Sequence, residues 1–115
     1  SPRYNEAAFR ALKRHFLFKT YLQGNRPFCQ WGAGEVGKRW LREWTLQRPG
    51  LVVDVHPRKI GRNIHGFAIT APESLAPPAA AFILIAVGAR GARVEIREYL
   101  NARGYRELKD YLFLA

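Results

Sequence analysis

The stretch Gln30-Trp31-Gly32-Ala33-Gly34-Glu35-Val36-Gly37 constrains this chain more than any other. An apolar run, Pro27 to Trp31, enters Gly32-x-Gly34-x-x-Gly37. A helical pattern carrying Val36, Trp40, Leu41 and Trp44 leaves it. A strand, a tight glycine turn and a helix are expected in that order. Gly32 permits the turn, Gly34 leaves room for a phosphate to approach the backbone, and Gly37 lets the helix pack closely on the sheet. The N–H groups that open such a helix favour an anion. The next apolar run, Leu51-Val52-Val53, ends at Asp54. An acidic residue about twenty positions past the first glycine is placed to hold a ribose hydroxyl.

The remaining segments extend the alternation. After Leu51 to Val55, a long loop carries His56-Pro57-Arg58-Lys59-Ile60-Gly61 and ends near Gly66. Phe67 to Thr70 reads as a short strand, Pro72 to Leu75 as one helical turn, and Phe82 to Val87 as a continuous buried strand. Gly88-Ala89-Arg90-Gly91 is a second glycine turn, Ala92 to Arg103 a helix, and Tyr111 to Leu114 a closing strand. The expected architecture is α/β: a Rossmann-like three-layer αβα fold whose parallel sheet of about five strands runs in the order 3-2-1-4-5. Gln30 is unusual in a strand buried on both faces; either it hydrogen-bonds near the strand end or it marks a partly open edge.

Residues 1–24 read as an amphipathic N-terminal helix packed on the core, and 25–115 as the nucleotide-binding domain. Ala8, Phe9, Leu12, Phe16 and the stem of Lys19 recur at helical spacing and form the expected core face. Arg10, Lys13 and Arg14 then fall outside. Asn5 is the expected N-cap and Gly24 the stop. A basic amphipathic helix can also lie on a membrane, or link to an upstream domain.

At 115 residues the chain is one domain. It has no methionine and begins at Ser1, so a trimmed piece of a longer protein is expected. The net charge of +10 favours anionic partners unless it is simply a solvated Arg-rich surface. No RNA-binding signature or zinc-finger spacing accompanies it, so nucleic acid is not the expected partner. No apolar run approaches the roughly 20 residues of a membrane span, and no signal peptide is visible. A cytoplasmic location is expected. Cys29 is the sole cysteine and reads as a small buried hydrophobe.

Four stretches come in one order: Phe28 to Gly37, Val53-Asp54-Val55-His56-Pro57-Arg58-Lys59-Ile60-Gly61, Ile64-x-Gly66, and Ala86-Val87-Gly88-Ala89-Arg90-Gly91-Ala92-Arg93. Together they resemble the Rossmann-type C-terminal domain attached to some bacterial family 2 glycosyltransferases. The form Gly-Ala-Gly-Glu-Val-Gly also resembles the turn in NAD-binding regulatory domains of potassium uptake systems. The first resemblance implies an accessory domain, with an upstream catalytic domain of the same polypeptide as its partner. Glycosyl transfer in that family uses an Asp-x-Asp metal site. Asp54-Val55-His56 breaks that pattern, so no catalytic residue is expected in this chain.

The expected ligand site follows from these pieces. Gly32, Ala33, Gly34, Glu35, Val36 and Gly37 would bracket a pyrophosphate, and Asp54 would hold the ribose of NAD or another nucleotide. Arg58 lies just beyond and bears on the choice between NAD and NADP. Gly88 and Arg90, with Arg93, form a second strand-end turn that either clamps a phosphate or is a basic helix start. His15, His56 and His65 are too scattered to bind metal by spacing. A ligand-free structural or dimerisation domain, or an NAD-binding regulatory domain, is the alternative function.

Overall fold

The structure is a computed structural model and describes residues 5–115. Among these residues the chain forms helices α1 (Glu6–Thr20), α2 (Glu35–Leu41) and α3 (Arg90–Ala102). The strands are β1 (Phe28–Trp31), β2 (Leu51–Val53), β3 (Asn63–Ile64), β4 (Phe67–Thr70), β5 (Phe82–Ile85) and β6 (Tyr111–Phe113). They make one sheet in the order β3-β4-β2-β1-β5-β6. β1 sits in the middle, with Cys29 opposite Leu51 on one side and Ile83 on the other. Every pairing is parallel except β3 with β4.

The five expected strands therefore become six, and the order 3-2-1-4-5 becomes 3-4-2-1-5-6. The added strand is the outer half of an edge hairpin. His65 (φ 52°) and Gly66 (φ 85°) both take left-handed backbone, as a two-residue hairpin turn requires. Asn63 Oδ1 accepts the Gly66 N–H at 3.0 Å. Two residues cannot display an alternating pattern, so this strand leaves no periodic trace in the sequence.

Alternation along the strands sends side chains to two cores. Phe28, Val52, Ile69, Phe82 and Leu84 pack with Leu17 of α1 and Trp40 and Leu41 of α2. Trp31, Val53, Ile83, Ile85 and Tyr111 pack with Ile96 and Leu100 of α3. Helices thus cover both faces, which explains why every residue of β1 and β5 is buried. Each large apolar side chain so buried contributes about 1.5–3 kcal/mol.

Several boundaries differ from expectation. α2 stops at Leu41 instead of reaching Trp44. The chain tightens there, with the Glu43 N–H donating to the Trp40 carbonyl and the Thr45 N–H to the Glu43 carbonyl. Trp44 still stacks on Trp40 at 5.5 Å. β2 stops at Val53 because the Asp54 side chain takes the His56 N–H, which ends the strand.

The first helix is the largest correction. Asn5 caps α1 as expected, its Oδ1 accepting the Ala8 N–H at 2.7 Å. Its first four expected residues, 1–4, lie outside the described residues, and the helix ends at Thr20 rather than Gly24. Leu17 and Phe18 pack inward, Phe18 edge-on to Phe28 and Trp44. The N-terminal two-thirds is rotated relative to the expected face. Phe9, Leu12 and Phe16 are 51%, 64% and 55% exposed. Arg10 and Arg14 turn toward Glu43 at 3.6 and 3.3 Å, and Lys13 Nζ donates to the Leu114 carbonyl at 2.6 Å. An acidic residue in the α2–β2 connection and an open carbonyl at the end of β6 draw the cationic stripe inward.

Candidate ligand cleft at the carboxyl edge of the sheet

β1 leads through α2, on one face, to β2; β5 leads through α3, on the other face, to β6. The direction of winding reverses between β1 and β5. Open α/β sheets hold ligands at the carboxyl ends of the strands flanking such a reversal. A cleft of about 710 Å³ opens there. It lies within the size range of small-molecule sites.

The glycine turn forms its floor. The Gly32 N–H donates to the Val53 carbonyl at 2.8 Å, and the Ala86 N–H to the Trp31 carbonyl at 2.8 Å, so both neighbouring strands hold the turn. Gly32 has φ 123°, and a side chain there would strike the Ala86 carbonyl. A side chain on Gly37 would strike the Gly32 carbonyl. Gly34 is different: open space surrounds it, and its φ of −83° suits any residue. The fold itself therefore needs Gly32 and Gly37, while Gly34 only keeps the cleft open.

Beneath the turn, fully buried Gln30 resolves the question raised by the sequence. Its Nε2 donates to the Gly32 carbonyl at 2.8 Å and the Gly37 carbonyl at 2.9 Å. Its Oε1 accepts the Trp44 Nε1–H at 2.7 Å. Gln30 is thus a hydrogen-bonded strut, and β1 is no open edge.

Asp54 grips the same turn from the side. Its Oδ2 accepts the Ala33 N–H at 2.7 Å and its Oδ1 accepts the His56 N–H at 2.8 Å. Lys59 Nζ donates to the Ala33 carbonyl at 3.1 Å. Each carboxylate oxygen keeps further accepting capacity toward the cleft.

Six of the expected residues line the cleft: Gly32, Gly34, Glu35, Val36, Asp54 and Gly88. Ala33 and Gly37 are buried below it. Arg58 and Arg90 are exposed and lie outside the lining. The Arg58 main-chain N–H donates to His56 Nδ1 at 3.0 Å. Arg93 does not join Arg90 in a clamp: its guanidinium lies over the Phe113 ring at 5.0 Å.

The sequence reading missed the far wall. Ala92, Glu95, Ile96 and Tyr99 form one face of α3 at i, i+3, i+4 and i+7, and that face borders the cleft. Tyr99 meets Trp31 edge-on at 5.4 Å. Pro72 and Glu73, in the short helical turn after β4, also border the cleft. The periodicity of α3 was visible beforehand, but its direction toward the glycine turn was not.

Cys29 lies in β1, away from the lining, and burial pushes its thiol up to about 11. Among the described residues, no group of three or more His, Cys, Asp or Glu side chains is placed to hold a metal, and no helix is long and apolar enough to cross a membrane. Compared with protein-family models, curated proteins and solved structures, the chain matches none.

Proposed function

We propose that this chain is a Rossmann-like module that binds a nucleoside-containing small molecule, a nucleotide or dinucleotide such as NAD among the candidates. One observation carries the reading: the Asp54 carboxylate, at the end of β2, is bonded to the glycine turn on the floor of the cleft at the winding reversal. The ribose would meet Asp54, and the group attached to it would pass over Gly34. The module is an accessory domain rather than a catalyst. Its attachment to a glycosyltransferase rests on the sequence resemblance alone.

Amide chemical shifts of Gly32 to Val36, followed while NAD, ADP, a UDP-sugar and adenosine are titrated in, test this reading. At least one should move them. Gly34→Val should abolish the movement and leave the rest of the spectrum in place. Silence toward all four, or unchanged binding by Gly34→Val, would remove the assignment.

A second reading is a docking or dimerisation domain. The exposure of Leu12 and Phe16 on α1 favours it. Sedimentation that changes with concentration would support it.

A further inference from the structure

We infer that the cleft selects a nucleoside bearing a cationic group and disfavours one bearing a diphosphate, an inference that rests on the nucleoside-binding reading above.

The charges of the lining carry it. Glu35, Asp54, Glu73 and Glu95 border the cleft, and among the described residues Lys59 is the one Lys or Arg that does. Lys59 is already engaged, its Nζ on the Ala33 carbonyl. In a chain of net charge +10 this arrangement is the reverse of the average surface. Of the surrounding arginines, Arg39 pairs with Glu6 and with Glu35 of the lining, Arg93 and Arg97 cover Phe113, Arg103 covers Tyr99, and Arg58 and Arg90 stand exposed outside the lining. At long range the net charge draws anions, but that field fades over about 8 Å at physiological salt. A ligand inside the cleft meets the carboxylates first.

The position of one of these carboxylates on the glycine turn adds to this. A diphosphate over this turn would seek backbone N–H donors, yet the Ala33 N–H is held by Asp54 at 2.7 Å. The phosphate would have to displace one anion and sit beside it. α2, at seven residues, has a short macrodipole with which to offset that repulsion.

The walls suit a cation. Trp31 and Tyr99 both border the space, and aromatic faces attract positive charge. Tyr99 already carries the Arg103 guanidinium 3.4 Å from its centroid. The ligand class is thus a nucleoside with a sulfonium or ammonium substituent, its ribose on Asp54 and its positive group among Glu73, Glu95 and the aromatic pair.

Calorimetric titration of the whole chain separates the outcomes. The probes are S-adenosylmethionine, S-adenosylhomocysteine, adenosine, ADP and NAD, at low and high salt. S-adenosylmethionine should bind about tenfold or more tighter than S-adenosylhomocysteine, as a charge-assisted contact allows. That ratio should shrink as salt rises. Glu73→Gln combined with Glu95→Gln should also reduce it, and both sites are exposed, so the melting temperature should hold. Equal affinity for the sulfonium and the thioether overturns the inference. So does tighter binding of ADP or NAD than of adenosine, while leaving the nucleoside reading intact. No binding by any probe, adenosine included, removes both.

Discussion

Trp44, past the end of α2, donates its indole N–H to the buried Oε1 of Gln30 on β1 at 2.7 Å. The same amide holds the Gly32 and Gly37 carbonyls. One side chain therefore ties the central strand, the glycine turn, α2 and the segment after it. Gln30→Leu would leave the Gly32 carbonyl and the Trp44 indole N–H buried without these partners, while the Gly37 carbonyl stays within the α2 ladder. At about 1–3 kcal/mol per orphaned group, the loss should reach several kcal/mol. Trp44→Phe removes one donor and should cost less. Urea unfolding of both single variants and the double variant measures the coupling. A Gln30→Leu protein as stable as the parent would refute the strut.

The three glycines should separate cleanly. Gly37→Ala drives a methyl into the Gly32 carbonyl and should cost about 1–3 kcal/mol or more, as overpacking does. Gly32→Ala adds left-handed strain to a similar collision. Gly34→Ala meets nothing and should change stability by less than about 1 kcal/mol. Thermal unfolding of the three variants is the check. A large loss at Gly34 would mean that the position serves the fold and not the cleft.

How much was legible follows from the range of each interaction. Gly32 and Gly37 could be read because their demands are local: one backbone angle and one close approach. Asp54 could be placed by spacing, but its bond to Ala33 spans 21 residues and leaves no local mark. Arg58, Arg90 and Arg93 were expected near phosphate because their backbones lie near strand ends. Long side chains go where partners are, and Phe113 claimed Arg93. On α1 the periodicity was real, but a helix with an apolar and a cationic stripe can pack by either. Glu43, far along the chain, decided which stripe turned inward.

That orientation of α1 is testable. Glu43 joins Arg10 and Arg14, and its side chain is largely buried. Glu43→Ala should leave Arg14 facing the domain without its counter-charge and Arg10 with only the longer, exposed pair to Glu6 at 3.9 Å. Hydrogen exchange across Glu6–Thr20 should then quicken, while the β1 and β5 amides stay protected. Leu12→Gln, on the exposed stripe, should leave both regions unchanged. Slow exchange in α1 after Glu43→Ala would show that the Leu17 and Phe18 contacts alone hold the helix.

Cys29 gives a pH signature. Burial in β1 raises its thiol from the ordinary 9.0 to about 11. Above pH 9 the unfolded chain releases this proton while the folded chain keeps it, so the unfolded state gains. The stabilising contribution is complete below pH 9 and is lost as pH rises through about 11. Tyr105 and Tyr111 are also raised, mainly by burial, and act in the same direction. Comparison with Cys29→Ala removes their share, since both proteins carry them. The parent should lose more stability than the variant between neutral pH and pH 11, read from urea midpoints. Native Cys29 should also react slowly with a thiol reagent at pH 8 and quickly once unfolded. Parallel alkaline profiles together with fast native labelling would show that the thiol is neither buried nor shifted.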